Sequence, residues 1–162
     1  MRTNNGKVKN VIISLYFILI VLAIIVTTLL SSFSELYDNP TSTILIILLI
    51  FVLLFIITHR VSKYFEYDSD GMKVVIMNRG LLLSDHFNYR EHKVEFEKEK
   101  LKGFRFRDYL FYKKLVIYLE GRHGLSKKET FNVTLVGHKK CKYIKQSLSK
   151  MIKHNRKQSN NS

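Results

Sequence analysis

The chain opens with two long apolar runs and then breaks into short alternating ones. Residues 11–30 (VIISLYFILIVLAIIVTTLL) carry no charge. At about 1.5 Å rise per residue, a helix of that length spans about 30 Å, the thickness of a bilayer's hydrocarbon core. A backbone in lipid must satisfy its own hydrogen bonds, so the run predicts a transmembrane helix over 11–30. A signal peptide is the other reading of such a segment, but its apolar core is shorter and a small-residue cleavage site follows it. Here Leu29-Leu30-Ser31-Ser32-Phe33 follows instead. A polar connection, 31–43, holds Glu35, Asp38 and Pro40 before residues 44–57, which are all aliphatic or Phe. Thr41, Ser42, Thr43 and Thr58 lengthen the uncharged stretch to about 27 Å of helix. A second transmembrane helix is therefore expected over 44–61.

From Lys63 the apolar period falls to two, the signature of half-buried strands. Residues 63–68 (KYFEYD) precede Ser69-Asp70-Gly71, and 72–78 then place Met72, Val74 and Ile76 on one face. Asp-Gly between alternating runs is a hairpin signal. Further strands are expected at 81–87, 93–97 (Val94 and Phe96 inward), 102–108 (Phe104 and Phe106 inward), 113–120 (Leu115, Ile117, Leu119) and 128–136 (Phe131, Val133, Leu135). Seven short strands with regular turns predict an antiparallel barrel or sandwich. At about residue 138 the period changes to 3.6. Cys141, Ile144, Leu148, Met151 and Ile152 share one arc, which predicts an amphipathic helix over about 138–154 capping the strands. Residues 156–162 have nothing to bury and are expected to be disordered. The fold class read from these patterns is an α+β membrane protein: a transmembrane helical hairpin, then a seven-stranded domain over 62–155.

Charge orients this arrangement. Arg2, Lys7 and Lys9 precede the first apolar run, Arg60 and Lys63 follow the second, and the 31–43 loop has no Lys or Arg. Positive residues stay on the cytoplasmic side. The 1–10 tail and the domain are therefore expected in the cytoplasm, with 31–43 outside, in a multi-pass cell-membrane protein. Neither apolar run contains an ionisable residue, whereas ion pathways and proton relays need them. The hairpin is expected to anchor and not to transport. Of the formal +14, a net +12 lies in residues 62–162, with 23 Lys or Arg against 11 Asp or Glu. So basic a surface attracts anions, and lipid headgroups are the nearest.

Catalytic chemistry leaves no trace. The six histidines form no i,i+4 pair and have no cysteine at ligand spacing. Asp68-x-Asp70-Gly71 opens like a calcium loop, yet position twelve is Arg79 where a Glu is required. Asn132-Val133-Thr134 fits a glycosylation pattern but lies in a strand expected in the cytoplasm. Cys141, the one cysteine, falls on the apolar arc of the last helix, where a small buried hydrophobe is the default. No nucleophile, phosphate-loop or zinc-protease motif occurs. The expectation is a non-enzyme with no catalytic residue, cofactor or metal.

The order of elements, with Val94-Glu95-Phe96-Glu97-Lys98-Glu99-Lys100-Leu101-Lys102-Gly103-Phe104 and the aliphatic Lys114-Leu115-Val116-Ile117-Tyr118-Leu119, resembles the membrane-anchored bacterial proteins with a pleckstrin-homology (PH)-like domain. The resemblance runs from Lys63 to about Asn155 and implies a scaffold. In phosphoinositide-binding PH domains the loop between the first two strands is basic. The corresponding loop is read here as Asp68-Ser69-Asp70-Gly71, which is acidic and argues against such a pocket.

One surface remains. The last helix carries eight Lys or Arg and no acid between His138 and Gln158. Lys139, Lys142, Lys150 and Lys153 share the face opposite the apolar arc, which makes them the candidate contacts for anionic lipid headgroups. A merely solvated outer face is the plain alternative. Nucleic acid is a poorer fit, because Phe104 and Phe106, interleaved with Arg105 and Arg107, alternate inward and leave bases nothing to stack on. The function expected is a non-catalytic membrane-anchored scaffold or interaction module. An accessory subunit, packing its hairpin against another membrane protein, is the alternative.

Overall fold

Both apolar runs are helical in the computed structural model, which describes residues 1–33, 39–81, 91–121 and 125–159. Helix α1 spans Lys9–Ser32 and α2 spans Pro40–Val61. Polar residues at the ends do not break them, because their hydroxyls return to carbonyls about one turn back. Thr28 Oγ1 donates to Ile24 O at 2.8 Å and Ser32 Oγ to Thr28 O at 3.0 Å. Ser42 and Thr43 do the same onto Asn39 O at the start of α2. The rings of Tyr16 and Phe55 stack with centroids 5.5 Å apart. Most apolar side chains of the pair nevertheless face outward; among the described residues only Ile12 and Phe51 are buried. Both helices are long and apolar enough to cross a membrane.

Residues Lys7–Arg60 form one compact unit, and Met1–Gly6 with Val61–Ser162 form the other. The second unit has seven described strands, though not the seven that alternation predicts. They are β1 (Arg2–Asn4), β2 (Lys63–Asp68), β3 (Lys73–Gly80), β4 (His92–Glu97), β5 (Leu101–Asp108), β6 (Lys113–Glu120) and β7 (Ser126–Asn132). A 3-10 turn, Lys98–Lys100, joins β4 to β5, and α3 (His138–Ser159) follows β7. Strand order is β1-β2-β3-β4 in one sheet and β5-β6-β7 in the other, every pair antiparallel. Of the expected barrel or sandwich, the described residues form two antiparallel sheets of four and three strands that do not close.

Five expectations need correcting. The segment 1–10, read as a tail, supplies the edge strand β1, held by Arg2 Nε on Glu66 at 2.8 Å. Asp68–Gly71 therefore joins the second and third strands, and the chain between the first and second is the helical pair. Met72 lies outside the strand that follows and is 91% exposed. Strand β7 ends at Asn132, where the Asn132 side chain accepts from Thr134 N at 2.9 Å and turns the chain. Val133 and Val136 are buried, and Leu135 only partly. Helix α3 continues through residues 156–159, expected to be disordered. The expected strand 81–87 lies, past Leu81, outside the described residues.

Core residues come from both sheets and the helix: Phe65, Tyr67, Val74, Ile76 and Phe96 from the first sheet, Leu101, Leu115, Ile117, Leu119 and Phe131 from the second, Ile144 and Leu148 from α3. Burying each of these large side chains stabilises the fold by about 1.5–3 kcal/mol. Antiparallel pairing gives the unit two ends. At one end the chain leaves for α1 and returns from α2, through Asn5-Gly6 and Val61-Ser62-Lys63. The β5–β6 turn and the β7–α3 connection share it: Lys63 pairs with Gly80, Asp108 with Lys113, Lys114 with Asn132, and Val133 N donates to Lys113 O at 2.9 Å. The opposite end holds Asp68–Lys73 and the 3-10 turn.

Candidate functional site

Helix α3 exists because its apolar residues recur on one face and its polar ones on the other. Ile144 and Leu148 are fully buried, and Cys141, Met151 and Ile152 pack partly against the core. Side chains then pin it at three heights. Lys140 Nζ donates to Asn4 O of β1. The Tyr67 hydroxyl lies 2.9 Å from Ser147 Oγ, and the Asn155 amide donates to Lys98 O, Glu99 O and Leu101 O at 2.8–3.1 Å. The first turn therefore sits at the attachment end of the unit, and Asn155 at the opposite end.

Lys139, Lys142, Lys150 and Lys153 are all exposed, as their spacing predicts. They do not form one compact patch. Lys150 lies about 12 Å along the axis beyond Lys142, and Lys153 about 16 Å beyond it. Lys150 and Lys153 border a cleft of about 600 Å³ with Lys98, Ser147, His154 and Lys157. Lys98 was not among the sequence candidates: it belongs to a 3-10 turn whose placement beside α3 depends on the Asn155 bonds, a long-range contact. Glu99 also lines this cleft and offsets part of its charge.

Other chemistry-bearing residues settle into ordinary roles. Burial pushes the Cys141 thiol up from its usual value, more than nearby Lys113 lowers it, so it stays protonated at neutral pH. Its Sγ lies 3.5 Å from Val136 O. Phe104 and Phe106 pack partly against the core and meet edge to face at 6.0 Å, while Arg105 and Arg107 point to solvent. Asn132 of the glycosylation-like triplet is buried. Among the described residues no three His, Cys, Asp or Glu side chains converge as a metal site would need. No protein-family model, curated protein or solved structure matches the chain.

Proposed function

We propose that this is a membrane-anchored, non-catalytic scaffold or interaction module, with two helical crossings and a basic PH-like domain facing anionic lipid in the cytoplasm. The observation that carries it is the pairing of β1 with β2. Chain on the two sides of the helical pair enters one sheet. A single crossing would put Arg2–Asn4 and Lys63–Asp68 on opposite sides of a bilayer, where they could not pair. The helices therefore cross together or not at all. Their outward apolar side chains favour crossing, since water suits so large an apolar surface poorly. The cationic flanks and the 31–43 loop without Lys or Arg favour a cytoplasmic domain.

Two sheets sharing a core under a C-terminal helix support the PH-like reading, with the helical pair occupying the connection between its first two strands. Lipid contact by α3 is graded along the helix. Each Lys near an anionic surface contributes about 1 kcal/mol, and the Debye length is about 8 Å at physiological salt. Lys139 and Lys142, at the attachment end, then contribute most, and Lys150 and Lys153 little. Lysine acetylation of the full chain in nanodiscs tests this. Lys139 and Lys142 should react more slowly in anionic than in neutral lipid, with the difference lost at high salt. Equal rates in the two lipids would leave α3 as a solvated outer face.

A further inference from the structure

Strands β5 and β6 are joined by the tightest kind of connection. Tyr109 N donates to Tyr112 O at 2.8 Å and Tyr112 N to Tyr109 O at 3.4 Å, so Leu110 and Phe111 alone make the loop. Two-residue hairpin loops favour Asn, Asp and Gly, which accept the required backbone angles. Leu-Phe is an uncommon choice there, and the core does not explain it: Leu110 is 89% exposed and Phe111 73%. Tyr109 beside them is half exposed. Consecutive exposed apolar residues at a turn point to a partner.

Charge around the loop is equally unusual. Arg107 and Lys114 are direct cross-strand partners, and like charges placed opposite each other destabilise a sheet. Arg105 lies two residues along the same outward face. Among the described residues, no carboxylate pairs with Arg105, Arg107 or Lys114. The Lys114 ammonium instead lies over the rings of Tyr109 and Tyr112, at 5.7 and 4.9 Å from their centroids. Asp108 and Lys113, at the base of the loop, neutralise each other at 3.9 Å. This leaves an apolar tip flanked by aromatics and an excess of cations, the composition of a segment that enters the boundary between headgroups and acyl chains. Its position agrees. Lys113, at the base of the loop, bonds Val133 and Thr134, and the neighbouring Asn132 amide reaches Val61 O at 3.5 Å, where the chain arrives from α2.

We infer that the β5–β6 hairpin is a second membrane contact, in which Leu110 and Phe111 enter the lipid interface while Arg105, Arg107 and Lys114 bind anionic headgroups. The inference rests on the two-crossing reading and adds to it that the domain is held against the bilayer as well as tethered to it. It names a contact that the α3 lysines do not make.

The chain has no tryptophan, so Phe111→Trp makes the tip its only indole reporter, and Leu48→Trp does the same for the exposed side of α2. Each full-length variant is reconstituted into anionic vesicles with or without lipid brominated near the top of the acyl chain, about 5–10 Å below the headgroups. The expected result for Phe111→Trp is blue-shifted emission and loss of most of its intensity with brominated lipid. Adding Arg105→Gln, Arg107→Gln and Lys114→Gln should weaken the quenching. Solvent-like, unquenched emission from Phe111→Trp, with Leu48→Trp blue-shifted, would overturn the inference and leave the two-crossing reading intact. Solvent-like emission from both would overturn the two together. A blue shift that brominated lipid does not quench would put protein over the tip and overturn the lipid assignment.

Discussion

Three asparagines hold the attachment end of the unit together, each by using its amide as backbone. Asn5 is nearly fully buried, its Oδ1 accepting from Phe65 N at 2.8 Å and its Nδ2 donating to Lys63 O at 2.9 Å. This prolongs the β1–β2 ladder by one side chain. Asn78 joins the two sheets: its Nδ2 donates to Tyr64 O and to Asn132 O, both at 3.0 Å, and its Oδ1 accepts from Asn132 N. Asn132 then turns the chain toward α3. Replacing Asn78 by Leu removes that partner from three backbone groups at once. Two of the three are buried, and at about 1–3 kcal/mol for each buried group left unpaired the expected loss is about 2 kcal/mol or more, read as a lower melting temperature in detergent. Tyr67 predicts a pH effect. Burial raises its pKa above the ordinary 10.0, more than its hydrogen bonds to Ser147 and Ser69 lower it. The unfolded chain then ionises Tyr67 first, so this contribution to stability is intact below pH 10.0 and is lost as pH rises through the folded value. Tyr67→Phe should cost about 1 kcal/mol near neutral pH and make the alkaline decline shallower in a pH series of melts.

At the scale of elements, β1 was hidden from sequence reading for physical reasons. Three residues are too few to show a period, and β1's partner, β2, lies beyond both apolar helices. Its cue was chemical: Arg2 facing Glu66 and Asp68, with N–O distances of 2.7 and 3.9 Å. That same Arg reads equally well as a topogenic charge beside Lys7 and Lys9. A fragment 63–162 therefore lacks an edge strand and leaves Phe65 N without its Asn5 partner. Joining 1–6 to 61–162 through a short Gly/Ser linker should give a soluble, cooperatively melting domain more stable than 63–162. Equal melting temperatures would mean that β1 adds nothing to the fold. Legible elements were those whose period ran long enough: both helices, α3, and the strands carrying Val74 and Ile76, Val94 and Phe96, or Leu115, Ile117 and Leu119. The outward lysines of α3 were legible for the same reason. Alternation failed where the chain turned, at Met72 and at Leu135, because a turn breaks the period before composition changes. The expected strands 102–108 and 113–120 already left residues 109–112 as their connection. What the sequence does not show is that Leu110 and Phe111 stand exposed there, because Tyr109-Leu110-Phe111-Tyr112 contains no turn former and reads as more core.

For the whole molecule, the β1–β2 ladder turns topology into a condition on folding. On the proposed two-crossing reading, chain on both sides of the helical pair must reach the same compartment before the first sheet is complete, which would couple orientation to domain stability. Reporter fusions should show both parts of this. A reporter active only outside the cytoplasm should be silent after Ser162 and active when inserted at Asn39, and the reverse pattern would invert the charge reading. The coupling is tested by deleting 40–58, which leaves a single apolar helix. If α1 alone still crosses with its basic flank inside, residues 63–162 are carried outward and the Ser162 fusion becomes active. Arg2–Asn4 then remains across the bilayer from β2. The first sheet loses its edge strand, Asn5 loses Lys63 and Phe65, and the translocated domain should be far more sensitive to added protease than the parent domain in inside-out vesicles. The loss should match that of the 63–162 fragment, since both lack the same strand. A translocated domain as resistant as the parent would show that the sheet stands without β1, and the argument that both helices must cross together would fall with it.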